Sequence, residues 1–133
     1  MPDTVQLTEL QIAIMRVLWA RGEATVADIC AELQSERGLA LTTIATVLSR
    51  LEKRGVVTHE TRARQFVYRP LVSEADVRQS MLEEITEQFF SGNVADLMTH
   101  LLSEREISPG DLERLKAMLE DRTTKKGGPE HAR

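Results

Sequence analysis

The chain predicts a mainly α fold with one small β-hairpin, built in two parts. Three observations carry that reading. Apolar residues recur at helical spacing from residue 8 to residue 54, punctuated by Gly22, Gly38 and Gly55. The period then switches to two between residues 56 and 69, in runs rich in valine, threonine and aromatics. From residue 73 the helical spacing returns in three further runs.

Residues 1–7 read as a short mobile start. Thr8-Glu9-Leu10-Gln11 is then a capping box, in which a hydroxyl and an amide side chain satisfy the first free backbone donors of a helix. Leu10, Ile14, Met15, Val17 and Leu18 supply its buried face, and Gly22 ends it. A second box, Thr25-Val26-Ala27-Asp28, opens a helix whose inner face is Val26, Ile29, Cys30 and Leu33, with a break at Gly38. The third helix carries Ile44, Val47, Leu48 and Leu51 at i, i+3, i+4 and i+7. Its other side is different: Thr43, Thr46, Arg50 and Lys53 line it, Thr42 and Arg54 stand at its ends, and no acid interrupts it.

Gly55 stops this helix. Two strands follow, Val56 to Thr61 and Gln65 to Arg69, with Arg62-Ala63-Arg64 as the hairpin tip and Pro70 as the stop. Helix-helix-helix-strand-strand is the order of a winged helix-turn-helix, assigned to residues 1–72.

Ser73 begins the second part, residues 73–122. Its helices show stripes of Val77, Met81, Leu82, Ile85 and Phe89, then Val94, Leu97, Met98, Leu101 and Leu102. The last, opened by Ser108 and Pro109, carries Leu112, Leu115, Met118 and Leu119. Three helices of this size bury such stripes poorly alone. A symmetric homodimer would bury them against their copies, and the alternative is a monomer in which they fold back on the first part. The expected dimerisation residues are Leu82, Ile85, Phe89, Leu97, Met98, Leu101, Leu112, Leu115 and Leu119. Residues 123–133 lack periodicity and read as a disordered tail.

Charge adds a functional hint. The 133 residues carry a net charge of −4, but unevenly: −3 over residues 1–41, +4 over 42–72 and −5 over 73–133. A basic island on the third helix and hairpin tip, the two places where a winged helix meets DNA, points to a double-stranded DNA partner. Hydroxyls early on the helix suit base edges or phosphates, and cations later suit phosphates. The expected DNA contacts are Thr42, Thr43, Thr46, Arg50, Lys53, Arg54, Arg62 and Arg64. For a lone basic helix a solvated surface is the plainer explanation.

Other classes find little support. No apolar run approaches the length of a membrane span, no secretory signal opens the chain, and Cys30 is the single cysteine, so a cytoplasmic protein without membrane insertion is expected. His59, His100 and His131 form no ligand set, and no cofactor is implied. Cys30 and Trp19 read as core residues, and Met81, Met98 and Met118 as fillers. There is no Gly-rich phosphate loop and no nucleophile elbow, and Glu83-Glu84 faces two directions on a helix. An enzyme is not expected.

The chain resembles the penicillinase and methicillin-resistance repressors of the BlaI/MecI type, a family that also has a copper-sensing CopY branch. The carrying residues are Leu7-Thr8-Glu9-Leu10-Gln11, Ile14-Met15, Leu18-Trp19, Thr25-Val26, the run from Thr42 to Gly55, and Tyr68-Arg69-Pro70. The resemblance implies a homodimeric repressor on a pseudo-palindromic operator, with Thr42, Thr43 and Thr46 reading bases and Arg50, Lys53, Arg62 and Arg64 holding phosphates. It also implies release by a sensor protease cutting the dimerisation region, near His100-Leu101-Leu102 here, where no matching local motif stands. The copper branch uses a cysteine-rich tail, which this chain lacks. A protein-docking winged helix and a small-molecule-gated regulator of another winged-helix family remain alternatives.

Overall fold

A computed structural model describes residues 5–126. The order is α1 (Glu9–Arg21), β1 (Ala24–Thr25), α2 (Val26–Arg37), α3 (Leu41–Lys53), β2 (Val57–Arg62), β3 (Gln65–Pro70), α4 (Glu74–Phe90), α5 (Val94–Glu104) and α6 (Pro109–Lys126). Six helices and a three-stranded antiparallel sheet give the expected class, a winged helix followed by further helices. The described residues divide into two compact units, with the boundary between Phe89 and Phe90.

The first unit is built on its caps. The Thr8 hydroxyl accepts from the Gln11 amide at 3.2 Å while the Gln11 side chain accepts from the Thr8 amide at 2.9 Å. Thr25 and Asp28 repeat the arrangement at 3.0 and 3.1 Å. Those bonds hold the Asp28 carboxyl below its ordinary range, first through the Thr25 amide. The helices close on Ile14, Met15, Leu18, Ile29, Ile44, Leu48, Leu51, Val56 and Val57, which have essentially no exposed surface. Trp19 is half-buried at the margin, and its indole N–H donates to the Val72 carbonyl at 2.9 Å. Cys30 is half-buried too, with Sγ 3.2 Å from the Leu39 carbonyl.

Three local features differ from expectation. Residues 5–7 are docked: Val5 and Leu7 are buried, and the Val5 amide donates to the Ser80 hydroxyl of α4 at 2.6 Å. Two apolar side chains in a polar stretch are too few to form a pattern, so a reading by periodicity misses them. Met1 to Thr4 lie outside the described residues. Ala24 and Thr25 form a strand where only a turn and cap were expected, pairing Ala24 with Tyr68 and Thr25 with Val67. The sheet order is therefore β1-β3-β2. Finally, α6 runs to Lys126, past residue 123 where the tail was expected; residues 127–133 lie outside the described residues.

The hairpin register pairs His59 with Tyr68 and Arg62 with Gln65. Its turn is therefore two residues, Ala63 and Arg64, with φ of +50° and +66°. This is the primed-turn geometry that matches strand twist, achieved without glycine or asparagine and so under local strain.

The sequence division at residue 73 is one of expected function, whereas packing continues into α4, where Val77 is buried with the first unit's core. Further along α4, Leu82, Ile85 and Phe89 are exposed, Phe89 by 75%. In the second unit α5 is capped by Asn93, which accepts from the Asp96 amide at 3.0 Å, and α6 by Ser108, which accepts from Asp111 at 3.1 Å. Leu97, Met98 and Leu115 are half-buried, while Leu101, Leu112 and Leu119 are exposed. Thus no residue expected at a dimer interface is buried within the single chain.

Candidate nucleic-acid interface

Helix α3 separates two chemistries around its axis. Ile44, Leu48 and Leu51 are wholly buried, and Thr42, Thr43, Thr46, Arg50 and Lys53 are all exposed on the other side. Arg50 and Lys53 make no ion pair or hydrogen bond among the described residues. Cations left in water on one helix face are available to an anionic partner without first breaking a bond.

The beginning of α3 is also open. Ala40 stands at the N-cap with no side-chain hydrogen bond, and there is no acid in the first turn. Its carbonyl takes the amides of Thr43 and Ile44 at 3.1 and 3.2 Å. The amides of Leu41 and Thr42 have no backbone or side-chain acceptor among the described residues. Ahead of the other five helices, Thr8, Thr25, Ser73, Asn93 and Ser108 each accept a backbone amide through the side chain. An uncapped N-terminus with its dipole unopposed favours a phosphate oxygen.

The hairpin tip comes alongside this end of the helix. Thr42, Leu41, Ala45, Arg64 and Phe66 line one groove of about 470 Å³. Arg64 is exposed and unpaired at the strained turn, so Thr42 and Arg64, distant in sequence, share one surface. Leu41 and Phe66 are half exposed there, at 53% and 49%. Neither was singled out from the sequence, since a solvent-facing apolar residue has no distinguishing local pattern.

Two expected contacts are otherwise engaged. Arg62 reaches Glu23, at the corner before β1, through two bonds of 2.7 Å, and also pairs with Glu60. Arg62 lowers the Glu23 carboxyl below its ordinary range, chiefly through these hydrogen bonds, and its own guanidinium is raised. Arg54 caps the end of α3 and donates to the Gln6 carbonyl at 2.8 Å. Sequence reading named both as DNA contacts, since it sees charge and not the acceptor across the fold.

The structure also adds a contact that sequence missed. Glu52, the acid of α3's last turn, receives the His59 ring, with Nδ1 at 2.8 and 2.9 Å from its two oxygens. His59 in turn stacks on Phe66 with ring centroids 4.0 Å apart. Their seven-residue separation across Gly55 offers no helical or strand rule that would pair them.

Among the described residues no cluster of metal-ligating side chains occurs, and no helix is long and apolar enough to cross a membrane.

The chain is similar to several known proteins. The penicillinase repressor of Bacillus licheniformis is 25% identical over 121 residues, 91% of this chain and 94% of that one. The methicillin resistance regulatory protein MecI of Staphylococcus aureus (strain N315) is 22% identical over 116 residues, 87% of this chain and 94% of that protein. The solution structure of the DNA-binding domain of the repressor BlaI superposes with a TM-score of 0.50 at 30% identity, covering 57% of this chain and 93% of that domain. A MarR family protein from Bacillus stearothermophilus gives a TM-score of 0.50 at 18% identity over 93% of this chain and 78% of its own, a likeness of fold alone. Residues 7–121 match the Penicillinase repressor family, and the chain belongs to it, a family of transcriptional repressors and not of enzymes.

Proposed function

We propose that this repressor acts in the cytoplasm as a homodimer that binds a pseudo-palindromic operator in double-stranded DNA. The observation that carries the reading is the outer face of α3, where exposed Thr42, Thr43 and Thr46 precede unpaired Arg50 and Lys53. The threonines and the open helix start meet base edges and phosphate, and Arg50, Lys53 and Arg64 neutralise phosphates. Arg54 and Arg62 reach DNA only by giving up Gln6 and Glu23, so in this reading they orient the interface more than they contact DNA.

The homodimer rests on the apolar faces that the single chain leaves open: Leu82, Ile85 and Phe89 on α4, Leu101 on α5, Leu112 and Leu119 on α6, with half-buried Leu97, Met98 and Leu115 beside them. Residues 1–72 would then serve DNA and 73–122 the dimer. Two copies would present two α3 helices to one duplex, with half-sites about 34 Å apart if they read successive turns. Release by a sensor protease cutting the dimerisation helices is carried by the resemblance alone.

Selection of sites from a random duplex pool, followed by a salt titration on the selected site, tests this. An inverted repeat with a slope of several released ions supports it. No enriched sequence, with weak and uniform salt-sensitive binding, would sink it in favour of a protein-docking module.

A further inference from the structure

The hairpin is fastened to the rest of the first unit from both of its faces. Alternation along the strands puts His59 with Phe66 and Tyr68 on one face, and Glu60 and Arg62 on the other. Arg62 ties the second face to Glu23 with a pair of fixed charge. The first face is tied to α3 by His59 and Glu52, and that tie contains the one residue type whose charge changes near neutral pH.

We propose that Glu52 and His59 are positioning residues that set the hairpin against α3, and that protonation of His59 tightens this setting and with it the grip on DNA. The DNA part rests on the function proposed above.

Three features of the geometry would complement a protonated ring. Both Glu52 oxygens lie within 2.9 Å of Nδ1, so a charged ring gains a charge-assisted bond to a carboxylate. The ring lies over Phe66, tilted by 24° with centroids 4.0 Å apart, where a cation is favoured over the aromatic face. Glu52 stands in the last turn of α3, where a lone negative charge opposes the helix dipole and a paired one does not.

The groups facing the imidazole are Glu52 from α3 and Phe66 and Tyr68 from β3. Burial, together with the Glu52 charge, pushes the Tyr68 phenol above its ordinary range and keeps it neutral. Glu52 is thus the charged partner, and the side chains are 27% and 31% exposed for His59 and Glu52, shielded enough for the pair to matter. Glu52 itself lies off the DNA-facing side of α3, between that side and the buried stripe, so the pair acts on DNA through the hairpin. Phe66 stands two residues from Arg64 and lines the same groove as Thr42. The positions of Arg64 and the start of α3 are therefore coupled through the ring stack.

The test measures dissociation constants between pH 5.5 and 8.5 at constant ionic strength. The probes are a duplex chosen by site selection and a scrambled duplex of equal length. Wild type, His59→Gln, Glu52→Gln and the control His100→Gln are compared. Wild type and His100→Gln should lose affinity about three- to fivefold between pH 5.5 and 8.5, the scale of a partly exposed ion pair. His59→Gln and Glu52→Gln should be flat and weak, with an unchanged salt slope. A His59→Gln profile that matches wild type, or a flat wild-type profile, overturns the proposal. If neither duplex binds at any pH, the DNA reading fails, and amide chemical shifts of residues 61–66 decide the coupling. Shifts that follow the imidazole titration in wild type and not in Glu52→Gln support it, and their absence overturns it.

Discussion

Arg62 and Arg64 stand two residues apart at the hairpin tip and end in opposite situations. Arg62 is consumed by Glu23 and Glu60, while Arg64 projects unpaired from a residue with φ of +66°. A free cation and a braced one thus stand at two positions that look equivalent in sequence. Arg50→Ala and Arg64→Ala should each lower operator affinity about three- to tenfold and reduce the salt slope by about one ion. Arg62→Ala should leave the slope nearly unchanged while raising hydrogen exchange across residues 61–66; a full-unit loss of slope would place Arg62 on phosphate instead. The brace also has an acid limit. The Glu23 carboxyl is held below its ordinary range by Arg62. Its contribution is complete above the unfolded-state value, about pH 4.3, and is lost as pH falls through the lower folded value. Exchange protection of the hairpin tip in the free protein should therefore persist to pH 5 and fall in stronger acid, and Glu23→Gln should abolish that dependence.

At the scale of elements, α3 and the hairpin turn both forgo a local stabiliser. Ala40 gives α3 no side-chain cap, and Ala63 takes φ of +50°, which asparagine or glycine adopts more readily. Ala40→Asp should stabilise the fold by about 1 kcal/mol in thermal unfolding and weaken operator binding, because its carboxylate occupies the amides proposed to meet phosphate. Ala63→Asn should stabilise by about 0.5–1 kcal/mol with affinity unchanged, since Arg64 and the strand register are retained. A cap variant that gained stability and kept full affinity would show that the open end of α3 has no part in binding.

At the scale of the whole molecule, the stability of the first unit and the proposed dimer should be separable. Leu18 is fully buried on α1, and Leu18→Ala should cost about 2–5 kcal/mol in chemical denaturation. Leu119 is 53% exposed on α6, and Leu119→Glu should leave the first unit folded while converting a dimer to a monomer in sedimentation. A sedimentation coefficient unchanged by Leu119→Glu and Leu101→Glu together would remove these faces from the dimer.

Sequence alone determined the helices, the caps that open or close most of them, and the two faces of α3. Helical period and capping chemistry are local rules, acting over three or four residues, and Thr8, Thr25, Ile44 and Leu48 obey them in full view. The basic island was legible for the same reason, as were the hairpin and its place after Gly55. Tertiary structure alone decided which charges on that island are free. Arg62 meets Glu23 across 39 positions, Arg54 meets Gln6 across 48, and Val5 meets Ser80 across 75. No periodicity links such residues. They are brought together because burying the apolar stripes fixes where each polar face falls, and only then does a carboxylate or carbonyl come within reach of a particular cation.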